Sequence, residues 1–201
     1  PGYFRVPGAA RRFHCWNRHG HGSVNADRAM AQSCDVYYYT LGYQLGIDRI
    51  AEFASHFRLG IPTGIDMPDE GSGVLPTREW KMKRFKTQWY IGDTINCSIG
   101  QGFFTTTPLQ LAYMTALIAR DGSEFTPRLL RKVYDPESAT AVELKAPLAT
   151  GKVAVYEPGI WNTVRQDMMN VIHSNEPQSA SMANDTFSPT FSTVGRILAP
   201  T

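Results

Sequence analysis

Three adjacent residues, Ser33-Cys34-Asp35, place a hydroxyl, a thiol and a carboxylate between two apolar runs. Such a set can relay protons or hold a polar substrate in a cleft. Ser and Asp serve equally well to satisfy backbone groups at a helix–helix turn, and residue types alone leave both uses open. A second set is Cys15, His21 and Cys34, spaced C-x5-H-x12-C. Zinc takes Cys, His and carboxylate ligands tetrahedrally, so these three are candidate metal ligands. The plain alternative is two buried cysteines and a surface histidine, and His14 and His19 compete as donors. A third set is Ser98-Ile-Gly-Gln-Gly102. Gly100 and Gly102 allow backbone geometry and close approach that a Cβ resists. The loop with Gln101 at its tip either faces a ligand or passes close to another element.

The elements that must hold these sets are readable in part. Asn25 is a good N-cap and Ala26 to Gln32 is helix-prone. Val36 to Leu45 returns to apolar and aromatic residues at helical spacing, with Gly46 as terminator. The triplet therefore lies at the junction of two helices, where a hydroxyl and a carboxylate can point into a cleft. Tyr37, Tyr38 and Tyr39 read as packing. Pro1 to Gly22, rich in Gly, Pro, Arg and His, reads as an irregular, structured loop. Asp48 is placed to cap a third helix, Arg49 to Phe57, closed by Gly60.

Ile61 to Pro76 is punctuated by Gly and Pro and reads as a surface connection. Thr77 opens a short basic helix to about Lys86, whose Lys81, Lys83, Arg84 and Lys86 read as a solvated face. Tyr90 to Thr107 shows no period, and Asp93 and Thr94 read as turn-formers. Thr107-Pro108 starts an apolar helix, Leu109 to Arg120, closed by Asp121-Gly122 and expected to be buried all round. Pro127 to Tyr134 and Ala141 to Lys145 read as a strand pair about Asp135-Pro136. Glu157-Pro158 starts a last helix with Trp161, Val164, Met168 and Val171 as its core stripe. Ser174 to Thr201 has no period and reads as a poorly ordered tail.

Composition bounds the rest. A chain of 201 residues with 42% apolar and 19% charged content suits one globular domain, or a piece of one. A net charge of +2 gives no argument for nucleic acid or an anionic membrane surface. No stretch is long and apolar enough to span a bilayer, and no signal peptide opens the chain. The first residue is Pro1 with no Met before it, so the chain is expected to be cut from something longer. Three cysteines are a poor disulfide framework; Cys97 reads as a core thiol.

Several spaced motifs carry a resemblance. They are Arg12-Phe13, Cys15-Trp16-Asn17, Gly20-His21-Gly22, Gln32-Ser33-Cys34-Asp35, Gly64-Ile65-Asp66, Leu75-Pro76-Thr77-Arg78-Glu79-Trp80, Gly92-Asp93-Thr94-Ile95, Ile99-Gly-Gln-Gly102 and Thr107-Pro108. In order and spacing they resemble the transpeptidase domain of the class B penicillin-binding protein 2 family, over about residues 1–173. The resemblance implies an α+β, penicillin-recognising transpeptidase or serine β-lactamase-like fold. The chain would hold mostly its helical part, truncated at both ends. It also implies a serine-type peptidoglycan D,D-transpeptidase of cell-wall elongation, working through an acyl-enzyme.

In that family three motifs meet in one cleft: Ser-x-x-Lys for nucleophile and base, Ser-x-Asn/Asp, and Lys-Ser/Thr-Gly on a strand. Only the second is here. By the resemblance, Ser33 bonds the nucleophile–lysine pair and Asp35 holds the substrate amide or the lysine, while Gly100, Gln101 and Gly102 line the substrate cleft. No Ser-x-x-Lys occurs in the chain, and Lys86-Thr87 is followed by Gln88. The segment alone is therefore expected not to acylate, since loss of a nucleophile costs on the order of a million-fold in rate.

The resemblance further implies one structural zinc on Cys15, His21 and Cys34, its remaining ligand an Asp before Pro1; the acyl transfer itself needs no cofactor. Expected partners are the D-Ala-D-Ala stem peptide and β-lactams, with a rod-type glycosyltransferase and the elongation scaffold. The parent is expected at the periplasmic face of the bacterial inner membrane, anchored by a segment absent here. The rival is a non-catalytic binding or structural module on the same fold, and a weaker one a β-lactamase-like hydrolase or sensor.

Overall fold

The computed structural model describes residues 1–173 apart from 139, 145–148, 156 and 158. The tail expected over 174–201 lies outside the described residues, as do Lys145 of the expected strand and Pro158 of the last helix start. Six helices and three two-stranded antiparallel sheets make up the described residues, in keeping with an α+β class.

The chain enters as a hairpin of β1 (Tyr3–Arg5) and β2 (Arg12–His14), with Phe4 opposite Phe13. The expected irregular loop thus contains two strands, too short and too rich in Arg to show a period of two. Helix α1 (Ala26–Ala31) starts at Asn25, whose side chain accepts from the Arg28 amide. Helix α2 (Asp35–Ser55) continues through the expected stop at Gly46, which is a break with φ 75° and ψ 162° inside it. The second half follows directly and ends at Ser55. Asp48 does not begin it: its carboxylate takes the Arg78 guanidinium at 2.9 Å.

Helix α3 (Arg78–Phe85) is capped by Thr77 as expected. Its face is not all solvated, because the Lys81 side chain is 7% exposed and reaches Asp93 at 2.5 Å. Helix α4 (Ile91–Cys97) occupies the stretch expected to be turns; Asp93 accepts the Tyr90 amide at 2.8 Å and Thr94 the Trp89 indole, also at 2.8 Å. Its sequence is a poor helix former with Gly92 inside, so capping and packing hold it. Where α4 crosses α2, a Cβ on Gly42 would lie 2.3 Å from Ser98 Cβ. That position needs glycine for close approach.

Helix α5 (Pro108–Ala119) begins with the expected Thr107 cap, completed by Gln110 as a capping box. It is not buried all round: Leu111 is exposed, while Gln110, Tyr113, Leu117 and Ile118 are buried. The Gln110 amide nitrogen reaches the carbonyls of Arg58, Ile61 and Ser72 at 2.7–2.9 Å. It thereby ties the long connection, which Glu70 folds by accepting the Thr63 and Gly64 amides, to the main core.

Strand β3 (Ser123–Phe125) pairs with β6 (Ala149–Lys152), and β4 (Lys132–Asp135) with β5 (Thr140–Glu143). The last pair is the expected hairpin about Asp135-Pro136, exposed along both strands, but its first strand begins at Lys132 rather than Pro127, residues 127–131 lying outside any strand. Helix α6 (Ile160–His173) puts Trp161, Val164 and Met168 against Phe57, Leu117 and Val153 in the larger core. The smaller core joins Phe13, Tyr39 and Ile95 beneath the hairpin. No helix among the described residues is long and apolar enough to cross a membrane.

Candidate active-site wall and metal centre

The chain turns from α1 into α2 through a Schellman motif. The Ser33 amide bonds Met30 O at 3.2 Å and the Cys34 amide bonds Ala29 O at 2.8 Å. Ser33 stands at the position such motifs reserve for a left-handed residue, with φ 51°. Glycine takes that conformation freely; serine holds it at a cost of about 1–2 kcal/mol. Strain of this kind gathers at functional sites. The Ser33 residue is exposed, Cys34 behind it is buried, and Asp35 opens α2 half-buried.

Trp16 straps this junction. Its indole N–H lies 3.1 Å from Gln32 O and 3.0 Å from Ser33 O, and its amide donates to Asp35 Oδ2 at 3.2 Å. Sequence reading gave Trp16 no role, although it stood beside Cys15 in a motif. An exposed-looking Trp next to a turn was the available signal.

The strap also delivers the metal-ligand candidates. Cys15 extends the β2 ladder by its amide to Gly2 O at 2.9 Å. A turn at Asn17, whose side chain accepts the His19 amide and donates to Gly20 O, then brings His21 back. Cys15 Sγ and His21 Nδ1 are 3.7 Å apart. With Cys34 the three donor atoms lie within 4.8 Å of one another. His14 and His19 are not in the cluster.

The cluster fits a tetrahedral thiolate–imidazole centre. Both cysteines are buried and free, and His21 Nε2 is buried without a hydrogen-bond partner. A buried unpaired ring nitrogen costs energy unless something binds it. Burial pushes the Cys15 thiol above its ordinary range, partly offset by the Asn17 backbone, and pulls the His21 imidazole below its own against the opposing charge of Asp35. Zinc binding takes thiolates and a neutral imidazole, so a cation here removes the charge burial that these shifts express.

The glycine loop lies beside α2, away from its head. Gly100 and Gly102 have φ 70° and 75°, and Gly100 and Gln101 bond back to Cys97 O and Asn96 O. Ser98, at the start of the loop, packs on Gly42, which at helical rise lies about 10 Å along α2 from Asp35. A cavity of about 360 Å³ beside α2 is lined by His21, Cys34, Tyr37 and Leu41, among others. Ser33, Asp35 and residues 100–102 stand outside that cavity. The structure thus joins Cys15, His21 and Cys34 with Ser33 and Asp35 at one junction, and does not bring residues 100–102 into contact with it: their segment meets α2 at Gly42, through Ser98.

A short helix turning through a Schellman motif into a long one, with Ser98 after α4 packed on that long helix at Gly42, in an α+β frame, is the fold of the penicillin-recognising transpeptidase class. Residues 2–188 match the family described as "Penicillin binding protein transpeptidase domain", and the chain belongs to that family. The peptidoglycan D,D-transpeptidase MrdA of Acinetobacter baumannii is 42% identical over 175 residues, which is 87% of this chain and 25% of that protein. The solved PBP2 of Pseudomonas aeruginosa, in complex with WCK 5153, superposes with a TM-score of 0.76 at 35% identity, covering 87% of this chain and 37% of that one. The PBP2 of Helicobacter pylori in its complex with MreC gives 0.71 at 31% identity, covering 93% and 32%. The chain spans about a quarter of the length of the curated relatives it matches.

Proposed function

We propose that this chain is part of a serine-type peptidoglycan D,D-transpeptidase. The whole protein attacks the D-Ala-D-Ala end of a stem peptide, releases D-Ala and passes the acyl group to a neighbouring amine. β-Lactams acylate the same serine. The nucleophile and its lysine come from outside these 201 residues, which hold no Ser-x-x-Lys. Ser33 contributes a hydroxyl that accepts and passes protons beside that pair, and Asp35 positions the substrate amide or the lysine. Gly100, Gln101 and Gly102 border the substrate.

The observation that carries this reading is the left-handed Ser33, held with Asp35 on one rigid junction by Trp16. Pre-positioned hydroxyls are what an acylation pocket requires. The test is Ser33→Ala in the full-length protein that carries this segment. Penicillin acylation is expected to fall about 10²- to 10⁴-fold, the usual worth of a proton-transfer group, with the fold retained. Unchanged acylation would refute the assignment.

Cys15, His21 and Cys34 hold one structural zinc, with a further ligand from elsewhere. The metal neutralises the thiolates and pins the turn that carries Ser33. Elemental analysis of the purified chain should give about one zinc per chain; a folded, metal-free chain with unchanged melting after chelator would end that reading. The partners are an elongation scaffold protein, by likeness to the PBP2 solved with MreC, and a rod-type glycosyltransferase, by likeness to a chain solved in a peptidoglycan synthase complex that coordinates polymerization and crosslinking. The working place is the periplasmic face of the inner membrane.

A further inference from the structure

Sequence counting makes three cysteines an unpromising set, but their positions divide them into a pair and a bystander. Cys15 and Cys34 are free, with sulfurs within 4.8 Å of each other, one at the end of β2 and the other at the head of α2. They are not equivalent. Cys34 lines the cavity beside α2, and Cys15 does not. Both are buried, Cys15 1% and Cys34 3% exposed, so the cavity wall at Cys34 is what sets them apart. This is the arrangement of an attacking thiol with a resolving thiol within reach. Cys97 is buried at the end of α4 and is not in the cluster.

We propose that Cys15 and Cys34 are a thiol–disulfide couple, oxidised by a small organic disulfide that enters through the cavity beside α2. The proposal deepens the zinc reading, because the two sulfurs that would hold the metal are the ones oxidised. Cys34 thiolate attacks one sulfur of the small disulfide, forming a mixed disulfide and expelling one small thiolate. Cys15 thiolate then attacks the Cys34 sulfur, closing the intrachain bond and expelling the second small thiolate. The two protein thiols lose two electrons, the small disulfide gains them, and the two thiol protons end on the released thiols. In the metal-bound form the cation leaves in place of those protons. The strand end and the helix head on either side of Ser33 are then tied by a covalent bond where a cation would otherwise tie them.

The test uses the 201-residue chain and 2-hydroxyethyl disulfide, read by intact mass and peptide mapping. The zinc-free reduced chain is expected to lose two hydrogens, keep no adduct, and yield a Cys15–Cys34 crosslinked peptide. Cys15→Ser is expected to stop with one mercaptoethanol on Cys34, and Cys34→Ser to leave Cys15 unmodified. The zinc-loaded chain is expected to release metal to a chromogenic chelator in step with bond formation. A wild-type chain that stays reduced, or that keeps adducts without closing the bond, overturns the proposal. A chain that closes the bond but never takes up zinc supports the couple and sinks the zinc reading alone.

Discussion

Two regions of this molecule bury polar groups, and they finish them differently. Around α3 to α5, Lys81, Asp93, Thr94 and Gln110 each close on a partner. Lys81 meets Asp93 at 2.5 Å under the rings of Tyr90, Phe103 and Trp89, and Gln110 bonds three backbone carbonyls, the Thr107 amide and the Thr106 hydroxyl. At the α1–α2 junction the valences stay open: the Ser33 residue is exposed, two thiols are free, and His21 Nε2 is unpaired. An unpaired atom is not by itself a site, since Tyr113 and Trp161 also leave their polar tips without partners in the core. Those stand singly on apolar bodies. The junction differs because the donor atoms of Cys15, His21 and Cys34 converge within 4.8 Å, and convergence is what a ligand can use.

The largest expected effect breaks the closed side. Lys81→Met leaves the Asp93 carboxylate, 18% exposed and still bonded to the Tyr90 amide, without its cation, which costs about 3 kcal/mol, the low end for a buried pair. Denaturant unfolding should show that loss, with α4 and the glycine loop losing hydrogen-exchange protection first. A loss under about 1 kcal/mol would mean that the pair behaves as a surface bridge. Gln110→Leu orphans three backbone carbonyls and a capping amide, for about 2–3 kcal/mol given partial relaxation. Its signature is a freed connection over residues 61–76, measurable as faster proteolysis there.

The contact of α1 with α6 is an intermediate case, half closed. Asp27 accepts from the Asn170 side chain at 2.8 Å, while Asp167 is 7% exposed near it. Burial, and then the Asp27 charge, raise the Asp167 carboxyl above 3.8. Between 3.8 and its raised value the unfolded chain gives up this proton and the folded chain keeps it. Stability therefore falls as pH rises through that window and stays lower above it. Asp167→Asn should remove this slope, and equilibrium unfolding from pH 3 to 7 is the check. An unchanged slope would place Asp167 in water.

The parts of the fold that could be read were those whose local chemistry agreed with their tertiary role. Asn25, Thr77 and Thr107 cap helices as their types require, and the Trp161 stripe packs as its spacing says. Lys81 was misread because its partner lies in another helix, so no pattern within α3 distinguishes it from Lys83. α4 was missed because Gly92 and Thr94 are weak helix formers held by tertiary contacts. Strands β1, β2, β3 and β6 span only three or four residues each, too few to display alternation. Of the candidate site, the convergence of Cys15, His21 and Cys34 was legible in residue type and spacing. The strap by Trp16 was not, because a side chain's reach across sixteen residues leaves no periodic trace.

The smallest expected effect tests the open side most directly. Ser33 pays about 1–2 kcal/mol for its left-handed backbone, whereas glycine adopts it freely but loses about 0.5–1 kcal/mol more chain entropy on folding. Ser33→Gly should therefore stabilise the chain by about 0.5 kcal/mol, seen as a rise of a degree or two in melting temperature. In the full-length protein the same change deletes the hydroxyl and should depress penicillin acylation as Ser33→Ala does. Opposite signs for stability and acylation would show that the serine is kept for its chemistry against its conformation. If Ser33→Gly instead destabilised the chain while leaving acylation intact, the hydroxyl would belong to the turn, and the junction would join the closed region as architecture.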